Sequence, residues 1–156
     1  MSIMDRDKIT IEIASEPRHF CVVRAAAGAA AQTCKLSDAE SGQVKLAVTE
    51  ALANVANHGY KGERDGLISI TLSPIQENGK RGLAIVIEDE TNDVDLDQIR
   101  SRPLDEVRPG GLGVHIIHET MDLVEYRRRD EGTGVQLRMC KFADAAASFA
   151  TDATQG

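Results

Sequence analysis

Leu83-Ala84-Ile85-Val86-Ile87 is apolar at five consecutive positions, and this run constrains the fold more than any other stretch. A strand with one face in water alternates polar and apolar residues, so an unbroken apolar run of strand length marks a central position in a sheet. The segment before it does alternate: Ile68, Ile70 and Leu72 against Leu67, Ser69, Thr71 and Ser73. Between the two lies Glu77-Asn78-Gly79-Lys80, a sequence suited to a tight hairpin turn. The chain must therefore supply a sheet around this hairpin and a layer to cover it.

The covering layer is legible on either side. Lys8 to Ala14 alternates at period two and predicts a half-buried strand. Ser15-Glu16-Pro17 offers an N-cap and an early-turn proline for an alanine-rich helix reaching about Thr33. Ser37-Asp38-Ala39-Glu40 has capping-box spacing and opens a second helix to about Asn57, with Gly59 as its stop. Residues 90–110 are polar, contain Pro103 and Pro109, and allow one short helix near Leu96 to Arg100. Val114 to Met121 predicts a helix, and Leu123 to Arg128 with Val135 to Phe142 a second hairpin about Glu131-Gly132-Thr133-Gly134. The order β-α-α-β-β-α-β-β predicts an α/β fold: a two-layer sandwich with a mixed, mostly antiparallel sheet and helices on one face. Residues 1–142 form one domain in this reading, and the small, polar stretch 143–156 a flexible tail.

Composition then excludes several functions. With 25 acidic against 18 basic residues the formal net charge is −7, which argues against a direct nucleic-acid binder. The run Arg127-Arg128-Arg129 is followed at once by Asp130 and Glu131, and is expected to be a solvated strand end. Cys21, Cys34 and Cys140 are odd in number and lack CxxC spacing, so they predict reduced thiols rather than disulfides or a zinc site. Met1 to Lys8 has no apolar core of a signal peptide, and no apolar run reaches membrane-spanning length. The expectation is a cytoplasmic protein with no membrane partner.

Chemistry concentrates in three places. On the second helix Val44, Ala47, Val48, Ala51, Leu52 and Val55 fill one arc, with Gln43, Glu50, Asn54 and Asn57 at its margin. Side chains four apart are surface neighbours, about 6 Å along the axis. A carboxylate there can take a proton from an attacking hydroxyl, and an amide oxygen can join a magnesium shell beside phosphates. On spacing alone an ordinary boundary of an amphipathic helix is much the better reading, since a Glu and an Asn four apart are common. Gly110-Gly111-Leu112-Gly113 either makes a tight connection to a helix or lets backbone N–H groups approach phosphates. It is neither a Walker A loop nor a dinucleotide fingerprint. Asp89, at the end of the apolar strand, could accept from an exocyclic amine, but a strand-ending Asp taken alone is more often a turn residue. His115 and His118 are three apart with no third metal ligand in evidence.

In this order the segments resemble the nucleotide-binding fold of the GHKL (Bergerat-fold) superfamily, which includes gyrase and the histidine kinases. They resemble most its small single-domain branch, the bacterial anti-sigma-factor serine/threonine kinases. The resemblance spans roughly Ile9 to Lys141 and rests on four segments. Glu50 to Asn54 with Asn57-His58-Gly59-Tyr60 is similar to the family's N box, and Ile87-Glu88-Asp89 to its adenine box. Gly110 to Ile117 is similar to its glycine box, and Gly132-Thr133-Gly134-Val135 to its closing hairpin. The resemblance implies ATP and Mg²⁺ as cofactors, Glu50 as general base and Asn54, with Asn57 beside it, at the Mg²⁺-bridged phosphates. It implies Asp89 at the adenine amine with Thr133 nearby, and Gly110, Gly111, Leu112 and Gly113 along the phosphates, under a lid from about Asp93 to Pro109. Implied partners are a STAS-domain anti-anti-sigma protein, phosphorylated on serine, and a sigma factor or analogous regulator; Arg24 matches a partner-contact position, and a homodimer is implied. The family's adenine box reads Asp-x-Gly, whereas this chain has Asp89-Glu90-Thr91. Thr91 must pack beside the base or move the loop outward, which leaves a non-catalytic regulator-binding module as the alternative.

Overall fold

The computed structural model describes residues 6–92 and 112–144. The expected lid, the short helix near Leu96, Gly110, Gly111 and all but the first two residues of the expected tail lie outside them. Strand β1 is Ile9–Ala14; a 3-10 turn at Pro17–His19 leads into helix α1, Phe20–Thr33, and then α2, Asp38–Asn54. Strands β2, Leu67–Glu77, and β3, Lys80–Asp89, follow. Helix α3, Leu112–Thr120, precedes β4, Leu123–Arg128, and β5, Val135–Phe142.

The five strands form one sheet in the order β1-β2-β3-β5-β4. Each described ladder is antiparallel, so the expected mixed sheet is antiparallel throughout these strands. β3 is central, as its apolar run requires, with Ile85 opposite Leu72 on one side and Met139 on the other. The β2–β3 turn places Asn78 at φ 52° and Gly79 at φ 78°, the positive values that match a two-residue turn to strand twist.

Helices cover one face. Val23, Ala27 and Ala31 of α1, and Val44, Val48 and Leu52 of α2, are fully buried with Ile68, Ile70, Ile85 and Met139 of the sheet. The opposite face carries Thr10, Glu12, Ser69 and Thr71, which pair across β1 and β2. The alanine-rich stretch of α1 lets the two helices approach closely. Ser41 Oγ donates to the Gly28 carbonyl oxygen at 3.0 Å, and a Cβ on Gly28 would lie 2.8 Å from the Lys45 side chain.

The capping box at the start of α2 has a further duty. Ser37 Oγ accepts from the Glu40 N–H at 3.1 Å, and Glu40 Oε2 accepts from the Ser37 N–H at 2.7 Å. Glu40 Oε1 accepts from the Asp144 N–H at 2.8 Å, and the Ala143 N–H donates to the Arg81 carbonyl oxygen at 2.8 Å. The chain is thus held for two residues past the expected domain end. Glu40→Ala removes the cap and this tie together and is expected to cost about 1–2 kcal/mol. Chemical denaturation checks it, and a loss below that of an ordinary surface substitution would contradict the assigned duty.

Candidate active site

The α-helical hydrogen bonding of α2 ends at Asn54, short of the expected Asn57, and the chain widens into a π-turn at Val55–Gly59. The Tyr60 N–H closes it on the Val55 carbonyl oxygen at 2.8 Å. π-turns inside or at the end of helices recur at functional sites because they re-aim the residues that follow. Here the widened turn leaves Asn57 and His58 exposed and brings Gly59 onto Thr91: a Cβ on Gly59 would lie 3.0 Å from Thr91 Cγ2.

One end of the site is built where α3 begins. A Cβ on Gly113 would sit 2.8 Å from Glu50 Oε2, 3.2 Å from Asn54 Oδ1 and 3.5 Å from Asn54 Nδ2. The missing side chain lets the first turn of α3 lie directly on the carboxylate–carboxamide pair. Both side chains are half-buried, on the α2 stripe beside the fully buried Ala51 and Leu52. A helix N-terminus presents unpaired N–H groups and a partial positive charge, so this arrangement combines an anion-binding element with an acceptor and an amide. Leu112 opens the same helix.

The other end is the exit of β3. Asp89 is 5% exposed, and its Oδ1 accepts three donors: Thr91 Oγ1 at 2.6 Å, the Thr91 N–H at 3.0 Å and the Val135 N–H at 3.2 Å. Asp89 Oδ2 receives no donor among the described residues. Thr91 is turned inward, buried to 7% exposure, so the loop does not swing out to accommodate it. Thr133 lies nearby, but its hydroxyl donates to the Glu90 carbonyl oxygen at 3.1 Å rather than to Asp89.

Two side chains fix this end, and the sequence reading missed both. Tyr60 Oη accepts from the Glu90 N–H at 2.9 Å and donates to the Leu67 carbonyl oxygen at 2.5 Å, joining the α2 exit to the start of β2 and the exit of β3. Burial pushes the Tyr60 phenol above its ordinary pKa, so it keeps the proton it donates. Arg129 corrects the reading of the basic run as a solvated strand end. Its Nε donates to Glu88 Oε2 at 2.9 Å and its guanidinium reaches the Asp89 and Thr133 carbonyl oxygens at 3.3 and 3.4 Å. The hint was the Glu88 carboxylate on the outer face of β3, but its distance of 41 residues hid the pairing. Arg127 and Arg128 are exposed, as expected.

The remaining candidates stand apart. Arg24 is exposed on α1. His115 pairs with Glu119 within α3 at 3.6 Å, and no cluster of three or more metal-ligating His, Cys, Asp or Glu occurs among the described residues. The cysteines are unpaired, and burial raises the thiol pKa of Cys34 and of Cys140. No helix among the described residues is long and apolar enough to cross a membrane.

The histidine kinase-like ATPase domain family matches residues 13–141. Serine-protein kinase RsbW of Bacillus subtilis is 26% identical over 144 residues, covering 87% of this chain and 86% of its own. The protein of the same name from Listeria monocytogenes is 29% identical over 137 residues, covering 83% and 84%. Among solved structures, the histidine kinase domain from the Erythrobacter litoralis EL346 blue-light activated histidine kinase is similar over 74% of this chain and 50% of that one, at 19% identity and a TM-score of 0.47. The matched span runs from β1 to β5 and takes in both ends of the site, and the chain belongs to the histidine kinase-like ATPase family.

Proposed function

We propose that this chain is an ATP- and Mg²⁺-dependent serine kinase of a partner-switching system. It would bind a sigma factor or analogous regulator and phosphorylate a serine on the STAS-domain protein that competes for it. The observation that carries this reading is the seat of Gly113 on Glu50 and Asn54. Residues some sixty positions apart in sequence meet there as a proton acceptor, an amide oxygen and a helix N-terminus. The kinship with serine-protein kinases supports the same chemistry.

In this reading Glu50 accepts the proton of the attacking serine hydroxyl, and the first N–H groups of α3 hold phosphate oxygens. Asn54 Oδ1 would hold magnesium, which would supply neutralisation of the phosphate charge. Asp89 Oδ2 accepts from the adenine amine at the opposite end. Phosphoryl transfer asks mainly for positioning and charge neutralisation, which a fixed proton acceptor, an amide oxygen and a helix N-terminus would supply. The setting we infer is cytoplasmic, with a homodimer presenting Arg24 to partners.

Incubation with radiolabelled ATP and the STAS protein encoded beside this gene tests the reading. Labelled serine with the wild-type chain and none with Glu50→Ala is expected; no label, or equal label from the variant, overturns it. Thr91 at the family's glycine position favours a second reading, a non-catalytic regulator-binding module. Calorimetry that finds regulator binding without any ATP binding would select it.

A further inference from the structure

We propose that Thr91 is a positioning residue for base recognition: it occupies Asp89 Oδ1 so that Oδ2 alone is left to accept from the base. The inference rests on the nucleotide-binding reading above and adds a specific duty for the residue that departs from the family pattern.

A carboxylate has two oxygens, each with two acceptor sites, and a carboxylate without fixed donors turns about its last bond. At Asp89 that freedom is removed. Thr91 contributes two of the three donors on Oδ1, through its hydroxyl at 2.6 Å and its N–H at 3.0 Å; the Val135 N–H supplies the third from the neighbouring strand. With three donors Oδ1 is saturated, and a new donor must go to Oδ2.

The threonine hydroxyl is itself held in place. Thr91 is β-branched, so fixing its methyl fixes its hydroxyl. The methyl lies against Gly59, where a Cβ would come within 3.0 Å of it. The end of the π-turn therefore sets the Thr91 rotamer, Thr91 sets the Asp89 carboxylate, and the carboxylate sets where an exocyclic amine can bind. Glycine at position 91 would supply the N–H but neither the hydroxyl nor the methyl. Thr91 thus replaces a backbone opening with a side-chain lock, which gives its burial a duty at Asp89.

The lock predicts a coupling between the Thr91 hydroxyl and the 6-amino group of the base. Calorimetric titration of wild-type protein, Thr91→Val and Thr91→Ser with ATP and with purine riboside triphosphate, which lacks that amine, measures it. Thr91→Val keeps the shape and loses the hydroxyl. It is expected to weaken ATP binding about tenfold, as for loss of a hydrogen bond to a charged group, while binding of the purine analogue is unchanged. Thr91→Ser restores the hydroxyl and is expected to recover most of the ATP affinity, which guards against a folding defect in the valine variant. Equal ATP affinity in Thr91→Val, or equal loss for both nucleotides, overturns the assignment of Thr91 and leaves the nucleotide reading standing. Failure of the wild-type protein to bind either nucleotide overturns both.

Discussion

Glu50→Gln is expected to lower the rate of serine phosphorylation by about 10²–10⁴-fold, the contribution typical of a general base, with ATP affinity nearly unchanged. Glutamine keeps the volume of glutamate, so the contact with Gly113, where the missing Cβ would lie 2.8 Å from Oε2, is retained. What the substitution removes is the ability to accept a proton. A group acting only in the transition state lowers kcat and kcat/KM together and leaves ground-state binding alone. Single-turnover phosphorylation of the STAS protein, beside calorimetric ATP titration, checks both halves. A fall in ATP affinity matching the fall in rate would make Glu50 a binding or packing residue. Glu50→Ala is the less informative partner because it opens space under α3 and can shift the helix N-terminus as well as delete the base.

The parts of this fold that were legible in the sequence are those decided within a few residues. Asn78-Gly79 specifies its own turn, Ser37 and Glu40 cap each other, and five apolar residues put β3 at the centre. The strand order was not legible, because the last hairpin could pair with β3 through either strand. Burial decides it: β5 alternates inward Val135, Leu137 and Met139 and takes the inner position, while β4 exposes Glu125, Arg127 and Arg128 at the edge. The end of α2 was misjudged for a similar reason. Asn57 and His58 continue a helical pattern, and the widening after Asn54 that brings Gly59 onto Thr91 shows only in the folded chain.

The site divides along the same line. Glu50 and Asn54 declare their neighbourhood by spacing on one helix, yet their meaning depends on Gly113, which only the folded chain brings to them. At the base end the bonds that join separate elements are long-range: Tyr60 to Glu90 across 30 residues, Arg129 to Glu88 across 41 and Val135 to Asp89 across 46. Arg129 shows why local charge pattern misled. The adjacent Asp130 and Glu131 made the run look self-neutralised, whereas Asp130 pairs with Arg127 and Arg129 turns back to β3. Thr91 is the opposite case, a visible departure from the family pattern whose sign needed the structure: it seats inward on Asp89 and does not push the loop out.

Gly134→Ala should be the most destabilising single methyl that can be added to this domain's base end. Gly134 has φ +114°, a backbone conformation that alanine adopts only under strain. Its added Cβ would also fall 1.9 Å from the Asp89 carbonyl oxygen and 2.7 Å from the Asp89 carbonyl carbon. Both obstacles are backbone atoms, which cannot turn aside as a side chain can. The hairpin must lift from β3, and with it go the Val135 N–H on Asp89 and the Arg129 guanidinium on Glu88 and the Asp89 carbonyl oxygen. Backbone strain of about 1–3 kcal/mol and overpacking of a similar size add to a loss of about 3 kcal/mol or more. That corresponds to a fall in Tm on the order of 10 °C for a domain of this length. Gly132→Ala is the control. It also has a positive φ, +75°, but nothing lies within 4 Å of its added Cβ, so it bears the conformational cost alone, about 1 kcal/mol. Thermal and urea unfolding of the two variants therefore isolate the close approach of the hairpin to Asp89 as the difference between them. Equal losses would mean that the hairpin relaxes freely and does not hold Asp89. A larger loss in Gly134→Ala than in Gly132→Ala, with nucleotide binding abolished under conditions where the variant is still folded, would mean that the same contact that stabilises the sheet also holds the carboxylate for the base.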